Sequence, residues 1–562
     1  MSRKKGIILN DVVRIERLQD ILDQAVAACP DHTAYIYRKG KEKYTVSYRQ
    51  FYDEVRSLGS ALAELGVDEG HIACIGDNSY NWIRAFLTGL LSRGVFVPVD
   101  KQLPEGDIIN VLTHSESQVV FYAKKFEDFF HQKEGELPGV KFFIGFDREE
   151  DEGKFLSLKK LLDRGMELFR SGYTVYTKNM KTSDPMALKL LLYTSGTTGK
   201  SKGVMLTEDN LVGVVYYGLQ VSTIYTTGLS VLPYHHSYEA VTDLLVSLHH
   251  HSTLVINESL AAVLKNLQEY HPDYIYLVPA FLEVFYKKIR AGMEEQGKWE
   301  TFQKGKKISR ALLKIGIDAR RKLFKQVHEI FGGKLIKIVV GGAPLRPDVA
   351  DFFDTIGITV CNGYGITECS PLVSVNLDYF CDFRTVGVKL PCIDVRIDRP
   401  GEDGNGEICV KGKTVMLGYY KDPEETAKVI VDGWFHTGDL GNINQYQQIS
   451  ITGRIKNLIV MDNGKNVYPE EIEDYVMNVP YVQENVVSAY KDESGKTGIG
   501  VEVFLNADKV KELGQAPGEE QILADVRTAT EALPSYKRPT RVTVRDTEFP
   551  KNSSNKILRK YN

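Results

Sequence analysis

The chain has 562 residues, of which 43% are apolar and 26% charged, and a formal net charge of −4. That composition excludes a disordered, collagen-like or disulfide-scaffold chain, and the slight acidity offers no basic face for nucleic acid. The length exceeds what one hydrophobic core serves, so several packed units are expected. At the N-terminus Arg3, Lys4 and Lys5 precede only Ile7, Ile8 and Leu9, too short for a signal segment. No run reaches the ~18 apolar residues that cross a bilayer. A cytoplasmic location follows as the expectation, with any membrane contact peripheral.

Phe51, Val55, Leu58, Ala61 and Leu62 recur at helical spacing, and Ile72 to Ile75 reads as a strand. Ala85 to Val99 reads as a helix running into a buried strand. Residues 125–183 are charged and weakly periodic, and surface excursions are expected there. Leu188 to Leu192, Thr253 to Ile256 and Tyr274 to Val278 are apolar and β-branched or aromatic, hence strands. Alternation of this kind predicts α/β layers with parallel strands. Near residue 380 short strands bounded by Gly and Pro begin, at Val395 to Ile397 and Glu407 to Val410, which suggests a small β unit. Pro469, Glu470 and Glu471 carry the signature of a helix start. The division expected is a large domain over 1–455 and a small α+β domain over 456–562. The seven cysteines (Cys29, Cys74, Cys361, Cys369, Cys381, Cys392, Cys409) show no C-x-x-C spacing and read as small buried hydrophobes in a reducing compartment.

The sharpest chemical feature is Tyr193-Thr194-Ser195-Gly196-Thr197-Thr198-Gly199-Lys200-Ser201-Lys202-Gly203, directly after a strand. Glycines let the backbone turn tightly and aim N–H groups at phosphate oxygens, while hydroxyls and lysines add donors and charge. A solvated Ser/Gly loop is the plain alternative. A Walker P-loop is excluded, because it needs Gly where Thr194 stands.

This segment resembles the phosphate-binding signature of the adenylate-forming superfamily of acyl-CoA synthetases, luciferases and peptide-synthetase adenylation domains. Further segments resemble the same family in order: Val340-Gly341-Gly342-Ala343-Pro344, Asn362-Gly363-Tyr364-Gly365-Ile366-Thr367-Glu368, Trp434-Phe435-His436-Thr437-Gly438-Asp439, Gly453-Arg454, and Pro550 to Arg559. The resemblance implies a large domain with two doubly wound βαβ sheets and a small β-barrel, followed by a mobile small domain. It implies ATP, Mg²⁺ and coenzyme A as cofactors. Thr194, Ser195, Gly196, Thr197, Thr198 and Lys202 would hold the β- and γ-phosphates. Gly342, Ala343 and Pro344 would line the adenine and acyl pocket, with Asn362, Gly363 and Gly365 around Tyr364, which would stack on adenine. Thr367 would donate to the α-phosphate and Glu368 would bind Mg²⁺, a hard cation suited to a carboxylate. Asp439, with Arg454, would take the ribose hydroxyls. His236 would sit beside the acyl carboxylate.

Lys556 matches the family's catalytic lysine, although Asn555 stands where the family has Gly. Lys456 matches its hinge, followed by Asn457 where an acid is usual. Met461 to Val467 resembles the loop lining the pantetheine tunnel, giving Gly464 and Lys465 a role toward coenzyme A. The runs His235-His236 and His249-His250-His251 lack zinc spacing, since adjacent side chains diverge. The chain ends six residues after Lys556, so a free-standing enzyme is expected. Three readings stay open. One is a coenzyme A ligase for a carboxylic acid such as a long- or medium-chain fatty acid, the texture of 235–239 and 361–371 being similar to bacterial long-chain fatty acyl-CoA synthetases. The second is an enzyme loading an aryl or fatty acid onto a carrier protein. The third is a non-catalytic binding protein.

Overall fold

A computed structural model of the chain describes residues 7–194, 201–551, 557 and 559. The chain divides into two compact units, Met1–Asp394 with Val410–Phe435, and Val395–Cys409 with His436–Asn562.

The first unit is built on two large sheets. One runs, in spatial order, Val388–Lys389, Leu372–Val375, Thr359–Gly365, Lys337–Val340, Tyr274–Leu277, Thr227–Ser230, Thr253–Ile256, Thr33–Lys39 and Glu42–Ser47. The other runs Gly418–Tyr419, Lys202–Thr207, Leu188–Thr194, Val95–Val99, His71–Ile75, Ser117–Tyr122, Phe142–Gly145 and Phe155–Ser157. Interior neighbours pair in parallel and antiparallel strands close three of the four margins, the fourth being Phe155–Ser157, parallel to Phe142–Gly145. Interior strands such as Val95–Val99 and Lys337–Val340 are buried along their whole length, as parallel strands covered on both faces must be.

Helix Tyr48–Glu64 shows why the periodicity was readable. Ser47 accepts a hydrogen bond from the Gln50 amide at 3.1 Å and caps its start. Phe51, Val55, Leu58, Ala61 and Leu62 are buried, each large one contributing ~1.5–3 kcal/mol relative to exposure. Helix Leu158–Arg170 packs on it so closely that a Cβ at Gly165 would lie 1.9 Å from the Ser57 carbonyl oxygen. This corrects the expectation for 125–183. Phe142–Gly145 and Phe155–Ser157 are sheet strands, and Phe130, Phe143 and Phe155 are buried. Their apolar runs are only three or four residues long within a charged stretch, too short for periodicity to register.

The segment 393–454 holds a five-stranded sheet. In the second unit, Val482–Lys491 pairs antiparallel with Thr497–Leu505, which pairs in parallel with Arg541–Arg545. Helices Pro469–Val476 and Glu519–Ala529 bury Ile472, Val476, Ile522 and Val526 in a core shared with Val487, Val501, Val503 and Val542. Pro469 occupies the first turn of its helix. Among the described residues, no helix is long and apolar enough to cross a membrane.

Candidate active site

In the nine-stranded sheet the strands Tyr274–Leu277, Lys337–Val340 and Thr359–Gly365 are parallel and in step, with Leu277 opposite Val340 and Val340 opposite Asn362. Their carboxyl ends therefore deliver 278–282, 341–345 and 366–370 to one edge, where ligands of open α/β sheets bind. The loop after Thr227–Ser230, which pairs with Tyr274–Leu277, brings Pro233 to Glu239 to the same edge. There the Tyr238 hydroxyl donates to the Val339 carbonyl at 3.1 Å. A Cβ at Gly341 would come within 3.4 Å of the Tyr238 ring, an ordinary van der Waals contact. Gly342, at φ +83°, turns the chain away from the strand in a conformation that favours glycine. Ala343 and Pro344 are exposed.

Asn362 is buried and donates to the Thr385 carbonyl at 3.2 Å. Tyr364 is buried in the same strand, which turns back antiparallel into Leu372–Val375. A Cβ at Gly365 would lie 1.8 Å from the Pro371 carbonyl oxygen. Thr367 opens the tight turn Thr367–Cys369. Glu368 within that turn is buried and accepts a 2.9 Å hydrogen bond from the Tyr419 hydroxyl.

Tyr419 ties this edge to the phosphate motif. Its strand pairs with Lys202–Thr207, Tyr419 lying opposite Val204. Lys202 in turn pairs with Thr194 at the end of the strand hairpin where the chain passes from one strand to the next. The Lys202 ammonium sits 5.0 Å from the centre of the Tyr419 ring and also forms an ion pair with Glu425. Thus Thr194, Lys202 and Glu368 are brought together. Ser195, Gly196, Thr197 and Thr198 lie outside the described residues, as does Lys556. Sequence reasoning missed Tyr419, Glu425 and Tyr238. A signal for Glu425 was present: Asp422 caps helix Pro423–Val429, accepting from the Glu425 amide at 3.0 Å, with Pro423 in its first turn.

His236 precedes the short helix Ser237–Glu239, and its ring centre is 4.4 Å from that of His235. Beneath lies an acidic pair that sequence reasoning also missed. Glu239 immediately precedes the π-helical turn Ala240–Leu245 and Asp243 lies within it, and both are wholly buried. Glu239 accepts from Ser230 at 2.6 Å, whereas neither Asp243 oxygen has a hydrogen-bond partner among the described residues. Burial, reinforced for Glu239 by the neighbouring Asp243 charge, pushes both carboxyls up, Asp243 to about 8. The buried phenols of Tyr35, Tyr234, Tyr274 and Tyr276 face the pair and are themselves pushed up by burial.

In the second unit, Asp439 is buried and stands opposite Arg454, whose guanidinium reaches it at 2.9 Å. Lys456 lies in the turn Ile455–Asn457. Gly464, at φ +76°, makes the turn between Ile459–Val460 and Asn466–Val467, and a Cβ there would meet nothing within 4 Å. The Lys465 ammonium lies 4.6 Å from the centre of the Tyr536 ring. Glu407, Cys409 and His436 bring three potential metal donors within 4.8 Å of one another. The Arg396 guanidinium acts on Cys409 in the same corner, however, and the His436–Glu407 contact of 2.7 Å reads as part of an ion-pair network.

The profile of the AMP-binding enzyme family matches residues 22–420. The chain belongs to that family. It is an enzyme of the AMP-forming acyl-CoA synthetase type, which uses ATP, Mg²⁺ and coenzyme A. It is 28% identical over 500 residues to long chain acyl-CoA synthetase 1 of Arabidopsis thaliana, covering 81% of this chain and 74% of that one. It is 27% identical over 504 residues to long-chain-fatty-acid–CoA ligase 1 of Cavia porcellus, covering 84% and 71%. Among solved structures it is similar to the anthranilate CoA ligase AuaEII in complex with anthranoyl-AMP, at TM-score 0.74, 18% identity and coverage of 97% and 96%. It is also similar to o-succinylbenzoate CoA synthetase of Bacillus subtilis with its acyl-adenylate, at TM-score 0.71, 22% identity and coverage of 96% and 97%. These likenesses give the fold: a mixed α/β architecture with parallel sheets in a large N-terminal domain followed by a small C-terminal one.

The buried acid pair generates a pH prediction. A carboxyl whose folded pKa is raised binds its proton more tightly folded than unfolded. Its stabilising contribution is whole below the unfolded value near ~4 and is lost as pH climbs through the folded value. Asp243→Asn removes the titration with little change of shape. The unfolding free energy of the variant relative to the parent, from denaturant titrations, should rise between pH 5 and 8, by up to about 1.4 kcal/mol per pH unit, and level off above. A difference independent of pH would show that Asp243 is ionised throughout.

Proposed function

We propose that the chain activates a long- or medium-chain fatty acid with ATP and transfers it to coenzyme A. The observation that carries this is the Lys202–Tyr419–Glu368 arrangement, in which one tyrosine holds the phosphate-motif lysine and a buried carboxylate at the same sheet edge. The names of the Arabidopsis and Cavia relatives support the choice of acid.

The reaction would proceed in two displacements. A carboxylate oxygen attacks the α-phosphorus of ATP and the bond to pyrophosphate breaks, leaving acyl-AMP. The thiol of coenzyme A then attacks the acyl carbonyl and AMP departs. Negative charge moves onto phosphoryl oxygens in the first step, so placed cations and donors lower its barrier. Thr194 to Thr198 and Lys202 would hold the terminal phosphates, and Thr367 would donate to the α-phosphate. Glu368 would hold Mg²⁺, which neutralises phosphate charge when bound; a buried carboxylate steadied by the Tyr419 hydroxyl fits that role. Tyr364 would take adenine, Asp439 and Arg454 the ribose, and His236 would adjoin the acyl carboxylate. Lys556 would bridge the carboxylate and the α-phosphate.

Pyrophosphate exchange against a panel of carboxylic acids, repeated with coenzyme A, tests this reading. Exchange with fatty acids and AMP release dependent on coenzyme A are expected. Exchange without that dependence would indicate a carrier protein as acceptor, and no exchange a binding protein. Lys556→Ala should lower exchange by ~10²–10³ while supplied acyl-AMP is still converted to thioester. Equal loss in both steps would remove Lys556 from its role.

The domains would divide at 455/456, with the small one turning about Lys456 between the two steps, withdrawing Lys556 and presenting Gly464 and Lys465 to the pantetheine arm. Proline fixes φ near −65°, so Lys456→Pro should keep exchange and strongly reduce thioester formation, with Lys456→Ala close to the parent. A folded proline variant competent in both steps would place the hinge elsewhere.

Peripheral contact with an acidic lipid surface would run through helix Trp299–Lys314. Its outer face alternates exposed Lys304, Lys307 and Lys314 with exposed Ile308 and, just past its end, Ile315. Such basic and apolar mixing suits an anionic bilayer. Phosphatidylglycerol vesicles should co-sediment with the parent and not with the triple variant Lys304→Glu, Lys307→Glu, Lys314→Glu. Equal sedimentation of the two would exclude this face.

A further inference from the structure

The Sγ atoms of Cys361 and Cys381 lie 3.2 Å apart, closer than two sulfur atoms usually approach without a bond or a shared proton. Cys361 is wholly buried on the strand Thr359–Gly365, next to Asn362. Cys381 is partly exposed, in the segment that crosses back over that strand. That segment is already fastened there by hydrogen bonds: Asn376 and Asn362 both donate to the Thr385 carbonyl, at 3.3 and 3.2 Å, and the Asn376 amide donates to the Asn362 carbonyl at 3.0 Å.

A third group sets the chemistry of the pair. Lys337, on the neighbouring strand, has a fully buried ammonium. It is held by Asp378 at 2.6 Å, by the Ser222 hydroxyl at 2.7 Å and by the Thr223 carbonyl at 2.5 Å. Its charge also acts on both sulfurs. Donation from the neighbouring thiol and the Lys337 charge together draw the first ionisation of the pair down, against burial and the opposing Asp378 carboxylate. A thiolate is the reactive form of cysteine, and one beside a second thiol is poised for oxidation to a disulfide.

We propose that Cys361 and Cys381 form a reversible oxidation site that takes a hydroperoxide as its oxidant. The Cys361 thiolate attacks one peroxide oxygen, the O–O bond breaks, and the departing alkoxide or hydroxide takes a proton to leave as alcohol or water. Cys361 is then a sulfenic acid. The Cys381 sulfur attacks it, the S–S bond forms, and the expelled hydroxide leaves as water with the Cys381 proton. In sum, two thiols and one hydroperoxide become a disulfide, an alcohol or water, and one further water. An external thiol reverses the change by exchange. The disulfide would fasten the 376–387 segment covalently to the strand that carries Asn362 and Tyr364.

The test is independent of ligase activity. The full chain is treated with hydrogen peroxide or cumene hydroperoxide, denatured in N-ethylmaleimide and digested without reductant. The expected result is loss of the maleimide adducts of both Cys361 and Cys381, appearance of the peptide linking them, and recovery of both adducts after dithiothreitol. In Cys381→Ser the linked peptide should vanish and Cys361 should instead be trapped by dimedone as sulfenic acid. Cys381 stands at a partly exposed position where serine preserves the fold, so this variant decides even where a change at Cys361 unfolds the chain. Maleimide on both cysteines after oxidation that has modified other thiols would overturn the proposal, as would a linked peptide joining Cys361 to some other cysteine.

Discussion

The constraint on which the molecule rests is the in-step parallel pairing of Tyr274–Leu277, Lys337–Val340 and Thr359–Gly365. Because no residue is offset between them, the first two chains leave the sheet at the same level, while the third continues three residues further, to Gly365, before it turns. The loops beginning at 278, 341 and 366 are thereby neighbours before any side chain is considered. A slip of one residue would turn every side chain of a strand to the other face. Strands apolar on both faces tolerate that poorly only if their ends are pinned. Here the pins are polar: Tyr238 holds the Val339 carbonyl, and Asn362 holds Thr385.

The second sheet contributes through a single contact surface. Tyr419 stacks under a cation with its ring and donates with its hydroxyl to a carboxylate. One rigid side chain with two rotatable bonds thus fixes two opposite charges at a set separation, at less entropy cost than two flexible chains finding each other. Oppositely charged groups preset in this way need no rearrangement when a polyanion arrives, which is the condition for efficient electrostatic stabilisation. The acid pair Glu239 and Asp243 works by the opposite principle: burial pushes both carboxyls up and so disfavours a negative charge in the interior.

Much of this was legible in the sequence. Strands at 72–75, 188–192, 253–256 and 274–278 announced themselves because buried parallel strands are uninterrupted apolar runs, and the helix at 469 because proline and acids mark a helix start. The site motifs were legible because glycine, threonine and lysine in fixed order have few other uses. What escaped did so for physical reasons. Phe142–Gly145 and Phe155–Ser157 are too short to show a period. Tyr419 acts through a contact more than fifty residues distant in sequence from Glu368, and Cys361 and Cys381 meet only because the chain reverses between them. Glu239 and Asp243 look like surface acids at i, i+4 on a helix. Only burial, with four buried tyrosines around them, changes their character.

The hairpin from Thr359 to Val375 is fixed in backbone alone. With the Pro371 carbonyl standing where a Gly365 side chain would begin, that turn has no room for any residue but glycine. Variation cannot enter there. A diverging sequence would have to change elsewhere, at positions where side chains rather than main chain make the contacts, such as the edge-on pair Tyr238 and Tyr276. The fold thereby separates two kinds of inheritance, a hairpin whose main chain admits no side chain at position 365 and a neighbouring region around Tyr238 and Tyr276 where side chains make the contacts.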